Sequence, residues 1–372
     1  MPFKKYKLIN PMLVIFMLLI SNILLHFLFP NIYGPIKIEI ILIILIYLVS
    51  FFFGFYFVYS IFIKKKIHFY QCYNRELIFN RKYVLIYYLV LIITSYLLYQ
   101  EIINSGVVGI MEYRLLVNNN FLEKGTLFWI LRIFSLLFFI SLINFIYSKT
   151  ILQSYWWAFL CLYTSLITTG RNYLLFFFLT LFITIINGKN VITKLIIGFV
   201  FFILLFATYA ILFNKIGENE SILLGSLHSL ISYFTVPLYG LSQIFEEKNL
   251  GSIMLLSEGV LNLLNIPHEA VPPMDYTKEP FVTNVYTLFF PIYYDLSYFG
   301  IVFFGIVYGF IHKLLYIKAR YGGIWLYLYC ISLYPLFMTV FHDTYLSSIG
   351  LWAVALLALL LFKENRSLNV QK

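Results

Sequence analysis

Apolar residues fall in long blocks along this chain, separated by short polar breaks. The blocks cover 10–29, 38–62, 83–99, 127–147, 151–169, 172–187, 192–213, 296–316, 323–341 and 346–362. Each nears or exceeds the roughly 18–20 residues that an α-helix needs to cross a bilayer. The pattern predicts an all-α polytopic membrane protein with about ten spans. A β-barrel is excluded, because its strands would alternate apolar and polar residues over about 10 positions. Block 38–62 is long enough to require tilt. Blocks 151–169 and 172–187 are joined only by the turn Thr168-Thr169-Gly170-Arg171-Asn172, which predicts a tight helical hairpin.

Between 214 and 295 lies the one long stretch outside these blocks. It is not uniformly polar: 222–245 and 251–265 are apolar with helical spacing. These two segments either cross as an extra pair, giving twelve spans (eleven if only one crosses), or lie interfacial or re-entrant. The second arrangement is expected, since a single extra span would break the charge pattern downstream. No internal repeat and no Pro/Gly/Ser linker divides the chain, so residues 1–372 read as one integral membrane domain.

Charge then orients the bundle. With the N-terminus placed in the cytoplasm, the inner segments hold 18 of the 26 Lys and Arg residues but only Glu76 and Glu364 of the 16 Asp and Glu. Lys and Arg bias sets membrane orientation, so both termini are expected in the cytoplasm of a multi-pass cytoplasmic-membrane protein. The net charge of +10 follows this topology, and no soluble basic face points to nucleic acid. The first block follows Lys4, Lys5 and Lys7, runs too long for a signal-peptide core and lacks an A-x-A site, so it reads as an uncleaved span. Cys72, Cys161 and Cys330 are far apart and read as packing residues rather than ligands. The strong use of Ile, Phe, Tyr, Lys and Asn fits a bacterium with an AT-rich genome.

In this orientation the Arg171 turn, loop 100–126, loop 214–295 and the turn Phe341-His342-Asp343-Thr344-Tyr345 all lie on the outer face. Arg171 either clamps an anion, as a permanently charged bidentate donor can, or anchors the helix end to lipid phosphate. Arg114, in "GVVGIMEYRLLVNNN" at 106–120, is either a second basic site or part of a solvated surface helix. In "FVTNVYTLFFPIYYDLSYFG", 281–300, Asn284, Tyr286, Thr287, Tyr293, Tyr294 and Asp295 suit sugar recognition, or form an aromatic belt. Asp295, His342 and Asp343 are the candidate proton acceptors; a capping role is the alternative for Asp343. There is no DxD, HExxH, P-loop or GxGxxG, and no His/Cys ligand spacing, so metal, nucleotide and cofactor chemistry have no support.

Four of these stretches resemble the Wzy-type O-antigen polymerases, the oligosaccharide repeat unit polymerases of bacterial surface polysaccharide synthesis. They are "TTGRNYLLFFFLTLF" from 168, "YFTVPLYGL" at 233–241, "NVYTLFFPIYYDLSYFGIVFFGIVYGFIH" at 284–312 and, more loosely, "EYRLLVNNN" at 112–120. The likeness spans roughly residues 100–345 in order. It implies a GT-C-like bundle that transfers an undecaprenyl-diphosphate-linked glycan onto the next lipid-linked repeat unit at the outer leaflet. It also implies that outer arginines, here Arg171 and Arg114, hold the diphosphate. A flippase and a chain-length regulator are the implied partners. Loop 214–295 departs from the family's arginine-repeat pattern: it has no arginine, only Lys215, Lys248 and Lys278. The rival classes are an O-antigen ligase, a lipid-linked oligosaccharide flippase and a polysaccharide O-acyltransferase.

The orientation is directly testable. In a Cys-free background, single cysteines at Asn119, Asn219 and Asp275 should react with impermeant maleimide in intact cells. Those at Lys65 and Lys318 should react only after lysis. Labelling of Lys65→Cys in intact cells would invert the assignment.

Overall fold

The computed structural model describes residues 6–30, 34–64, 74–107, 125–168, 171–186, 235–242 and 287–367, with a few single positions between them. Predicted span 192–213, apart from position 193, and most of loop 214–295 lie outside the described residues. Nine helices and two strands organise the rest: α1 Pro11–Leu28, α2 Ile38–Lys64, β1 Asn74–Phe79, α3 Arg81–Asn104, α4 Thr126–Ile146, α5 Ile151–Ile167, α6 Arg171–Ile186, α7 Phe289–Ala319, α8 Gly323–Met338, α9 Ile349–Leu359 and β2 Phe362–Ser367. Five of the helices are long and apolar enough to cross a membrane, and α5, α6, α8 and α9 are shorter apolar helices. The bundle turns large apolar side chains outward, among them Leu85, Ile92, Tyr96, Leu152 and Phe299. A water-exposed surface would not tolerate that much apolar area; a lipid-facing one requires it.

Local chemistry starts the helices. Asn10 caps α1 through Met12 N at 3.0 Å, with Pro11 in the first turn; Asn80 caps α3 through Lys82 N at 3.2 Å; Thr150 caps α5 through Gln153 N at 3.2 Å. One end of the bundle gathers segments distant in sequence. Tyr6 N donates to Arg320 O (3.2 Å), the Tyr329 hydroxyl to Ile9 O, the Tyr147 hydroxyl to Gly323 O (2.6 Å), and Lys149 pairs with Glu76 at 3.3 Å. Strands β1 and β2 join there as an antiparallel pair, Asn74 opposite Ser367 and Phe79 opposite Phe362. The apolar blocks gave no sign of these strands. Their signal is a period of two over six residues, with Leu77 and Phe79 buried and Ile78 exposed.

The closest packing lies between α2 and α7. Glycines let the two backbones touch: a Cβ at Gly54 would stand 2.0 Å from Ile306 O, and one at Gly309 would stand 2.1 Å from Phe51 O. At Gly305 it would meet Ser50 Cβ at 2.7 Å. Gly305 and Gly309 form a G-x-x-x-G pair, the spacing that allows close helix crossing in lipid, where packing replaces the hydrophobic drive. Gly309→Leu should therefore be far more damaging than a surface change, by several kcal/mol of order. Gly109→Ala, which meets nothing within 4 Å, is the control. Thermal aggregation in detergent should separate the two; equal melting temperatures would disprove the crossing.

Candidate active site

Arg171 begins α6. Its side chain lies outside the described residues, but its helix start is held firmly. Tyr173 buries its ring against Phe138 at 5.1 Å and sets its hydroxyl 2.5 Å from Ser135 Oγ on α4. One turn on, Phe176 stacks on Tyr334 of α8 at 4.1 Å and meets the edge of Trp352 of α9 at 5.9 Å. The start of α6 is thus fixed on three helices at once.

Arg114 also lies outside the described residues. Its neighbour Tyr113 donates its hydroxyl to Ile167 O, at the end of α5, at 2.8 Å. That bond docks the 112–117 segment beside the residues that lead into Arg171. A third arginine was not anticipated as part of a site. Arg132, half-buried six residues into α4, packs over the Phe128 ring at 4.9 Å. It lies close enough to the Tyr173 hydroxyl to act on it electrostatically. A Cβ at Gly350, in the first turn of α9, would stand 3.6 Å from both terminal nitrogens of its guanidinium. The available signal was an always-charged side chain inside an otherwise apolar block.

The turn between α8 and α9 carries His342 and Asp343. Sequence placed it at a helix end on the surface, with the last span starting at 346; α9 in fact begins at Ile349 and runs only 11 residues, about 16 Å. The turn is drawn into the bundle. Asp343 is 6 % exposed and acts electrostatically on the hydroxyls of Tyr47 and Tyr308. Tyr47 lies nine residues, about 13 Å, inside the start of α2, and Tyr308 eleven residues, about 16 Å, before the end of α7. The turn therefore meets both helices well inside their ends. Its backbone is satisfied internally: Asp343 Oδ1 accepts from Tyr345 N (2.9 Å) and Leu346 N (3.4 Å), and Trp352 Nε1 donates to Thr344 O (3.1 Å) and Tyr345 O (3.0 Å). Burial pushes the Asp343 carboxyl up, and the backbone N–H donors oppose it. Burial lowers the His342 imidazole to about 4, so it is neutral near pH 7, with Nδ1 buried and without a hydrogen-bond partner among the described residues.

Asp295 is buried in the first part of α7, two residues before Ser297, whose φ of 54° breaks the helix. Thr287 is buried too. Its hydroxyl accepts from Phe289 N at 3.3 Å, and Leu288 N donates to Thr339 O at 3.0 Å. Thr287 thus shapes the start of α7 and docks it beside the recessed turn. Asn284 and Tyr286 lie outside the described residues. Among the described residues no cluster of three or more His, Cys, Asp or Glu side chains forms. Comparison of the chain with protein-family models, characterised proteins and solved structures finds no match.

Proposed function

We propose that the chain is a membrane glycosyltransferase of the oligosaccharide repeat unit polymerase kind. It would transfer a polyprenyl-diphosphate-linked glycan onto the next lipid-linked repeat unit at the outer face of a bacterial cytoplasmic membrane. The observation that carries this reading is the Tyr113–Ile167 hydrogen bond, which brings the segments bearing Arg114 and Arg171 together at one end of the bundle. That end lies opposite the β1–β2 pair, beside which Lys149 and Arg320 lie. By charge bias the arginine end faces outward.

The chemistry follows from the residue types. The acceptor hydroxyl attacks the anomeric carbon of the donor sugar as the bond from that carbon to the diphosphate oxygen breaks. The diphosphate leaves with the electron pair, and its charge is met by Arg171 and Arg114, with Arg132 deeper in the bundle. The hydroxyl proton passes to a base. His342 fits that role best of the three candidates: it is neutral near pH 7, and its Nδ1 has no hydrogen-bond partner among the described residues. Asp343, turned inward under its own backbone donors, holds the turn in place.

Arg171→Ala should leave the protein in the membrane, with single repeat units displayed at the surface and long chains lost. Arg171→Lys should recover part of the activity, because an ammonium keeps the charge without the bidentate fork. A gel of surface polysaccharide with analysis of lipid-linked intermediates reads the outcome. Normal chain length in a well-expressed Arg171→Ala variant removes the role. Long chains stranded on the lipid carrier indicate a ligase. Repeat units trapped on the inner leaflet indicate a flippase, and altered modification at normal length an acyltransferase.

The base assignment has its own signature. His342→Gln should lower turnover about 100-fold or more, within the usual range for losing a general base, with little change in the amount of protein in the membrane. Wild-type activity should stay flat from neutral pH downward until the imidazole protonates near its lowered pKa of about 4. A midpoint near the ordinary histidine value of about 6.5 would contradict the burial.

A further inference from the structure

We propose that the recessed turn between α8 and α9 holds a monovalent alkali cation, ligated by the Asp343 carboxylate and by the hydroxyls of Tyr47, Tyr308 and Thr344. Four observations meet there. First, Asp343 is buried, and among the described residues no ion pair reaches it. A carboxylate in that setting needs a compensating positive charge. Second, the hydroxyls of Tyr47, Tyr308 and Thr344 are fully buried and have no hydrogen-bond partner among the described residues. Buried polar atoms are rarely left so, and each orphan points to an occupant. Third, Asp343 and the two tyrosines lie near one another, and Thr344 adjoins Asp343 in the turn. Asp343 acts electrostatically on Tyr47, Tyr308 and Tyr345, and the three tyrosines act on one another. The Tyr308 and Tyr345 rings stack at 3.8 Å, and His312 Nε2 fixes the Tyr345 hydroxyl at 2.8 Å. Fourth, burial pushes the Asp343 carboxyl up, and the backbone N–H groups of Tyr345 and Leu346, which point at Oδ1, oppose that push, as a bound cation also would.

The donor set chooses the ligand class. All the proposed ligand atoms are hard oxygens, which suit alkali and alkaline-earth ions rather than zinc or copper. A single carboxylate balances one positive charge and leaves a divalent ion uncompensated. With Tyr47 and Thr344 fully buried, these hydroxyls are closed off from a guest as large as a sugar. Such an ion would tie the turn to α2 and α7 and would resist chelators of divalent metals. This site does not depend on the glycosyltransferase reading.

The test uses the purified full-length chain in nanodiscs, at fixed ionic strength, with N-methylglucamine chloride replaced stepwise by sodium or potassium chloride. Tryptophan fluorescence follows melting, and Trp352, one of five tryptophans, is bonded to the turn. The expected result is a saturable rise in melting temperature with one alkali cation and none with N-methylglucamine. Asp343→Asn keeps the acceptor for the Tyr345 and Leu346 N–H groups, so it should fold and lose the cation response. Tyr308→Phe should raise the half-saturating concentration about tenfold, the scale of one lost bond to a charge. A flat wild-type response overturns the proposal. So does an Asp343→Asn variant that responds like wild type. Wild-type stability that follows pH but no alkali cation would show that the carboxylate carries a proton instead.

Discussion

The glycine contact between α2 and α7 governs how this bundle is arranged. In lipid, two apolar helices gain nothing from hiding apolar surface, so association rests on shape and on polar contacts. Gly54, Gly305 and Gly309 remove the side chains that would hold the backbones apart. The crossing then aligns Tyr47 and Phe51 of α2 with Tyr308 and His312 of α7, and the Phe51 and His312 rings lie 6.0 Å apart. These polar tips need partners, and neither helix supplies them. The α8–α9 turn supplies one, the Tyr345 hydroxyl at 2.8 Å from His312 Nε2, and leaves the hydroxyls of Tyr47 and Tyr308 without a hydrogen-bond partner among the described residues. A larger residue at the crossing would therefore reach the turn through the two tyrosines without touching it.

Irregular backbone at this depth is costly unless protein satisfies it. The turn meets that demand locally. Asp343 caps the start of the approach to α9, the Trp352 indole covers two carbonyls, and His342 N returns to Met338 O at 2.9 Å. The shortness of α9 is the geometric counterpart: a full-length helix would have carried residues 342–348 to the bundle end and left no polar groups inside. Arg132 approaches the same helix start at Gly350, where a Cβ would stand in ordinary van der Waals contact with the guanidinium.

Much of this was legible in the apolar blocks. Nine of the ten predicted spans correspond to helices, because a run of lipid-compatible residues with no breaker leaves the backbone no other satisfied conformation. The tenth, 192–213, lies outside the described residues apart from position 193. The strand pair was not legible: six residues of alternation are too few to stand out beside twenty-residue blocks. The depth of the His342–Asp343 turn was also hidden. A polar break between two apolar blocks looks the same whether it caps a surface loop or an inserted one. The distinction lies in Tyr47 and Tyr308, remote in sequence, whose hydroxyls read locally as ordinary aromatic content. Arg132 was visible as a charge but not as a neighbour of Tyr173 and Gly350. Conversely, Thr287 looked like a sugar contact, and its hydroxyl is engaged at the start of α7.

The start of α6 and the recessed turn are joined by rings rather than by hydrogen bonds. Phe176 stacks on Tyr334 and touches Trp352, while Trp352 holds the carbonyls of Thr344 and Tyr345. A load on the Arg171 end of α6 is therefore transmitted to the turn by close-packed aromatic faces, which resist compression and shift as a unit. In the proposed reaction this separates two tasks that would interfere if they shared a residue. Permanent cations meet the charge of the leaving diphosphate, and a neutral imidazole takes the acceptor proton. An arginine set directly against His342 would weaken it as a base by stabilising its unprotonated form. The aromatic bridge of Phe176, Tyr334 and Trp352 couples the start of α6 to the turn mechanically.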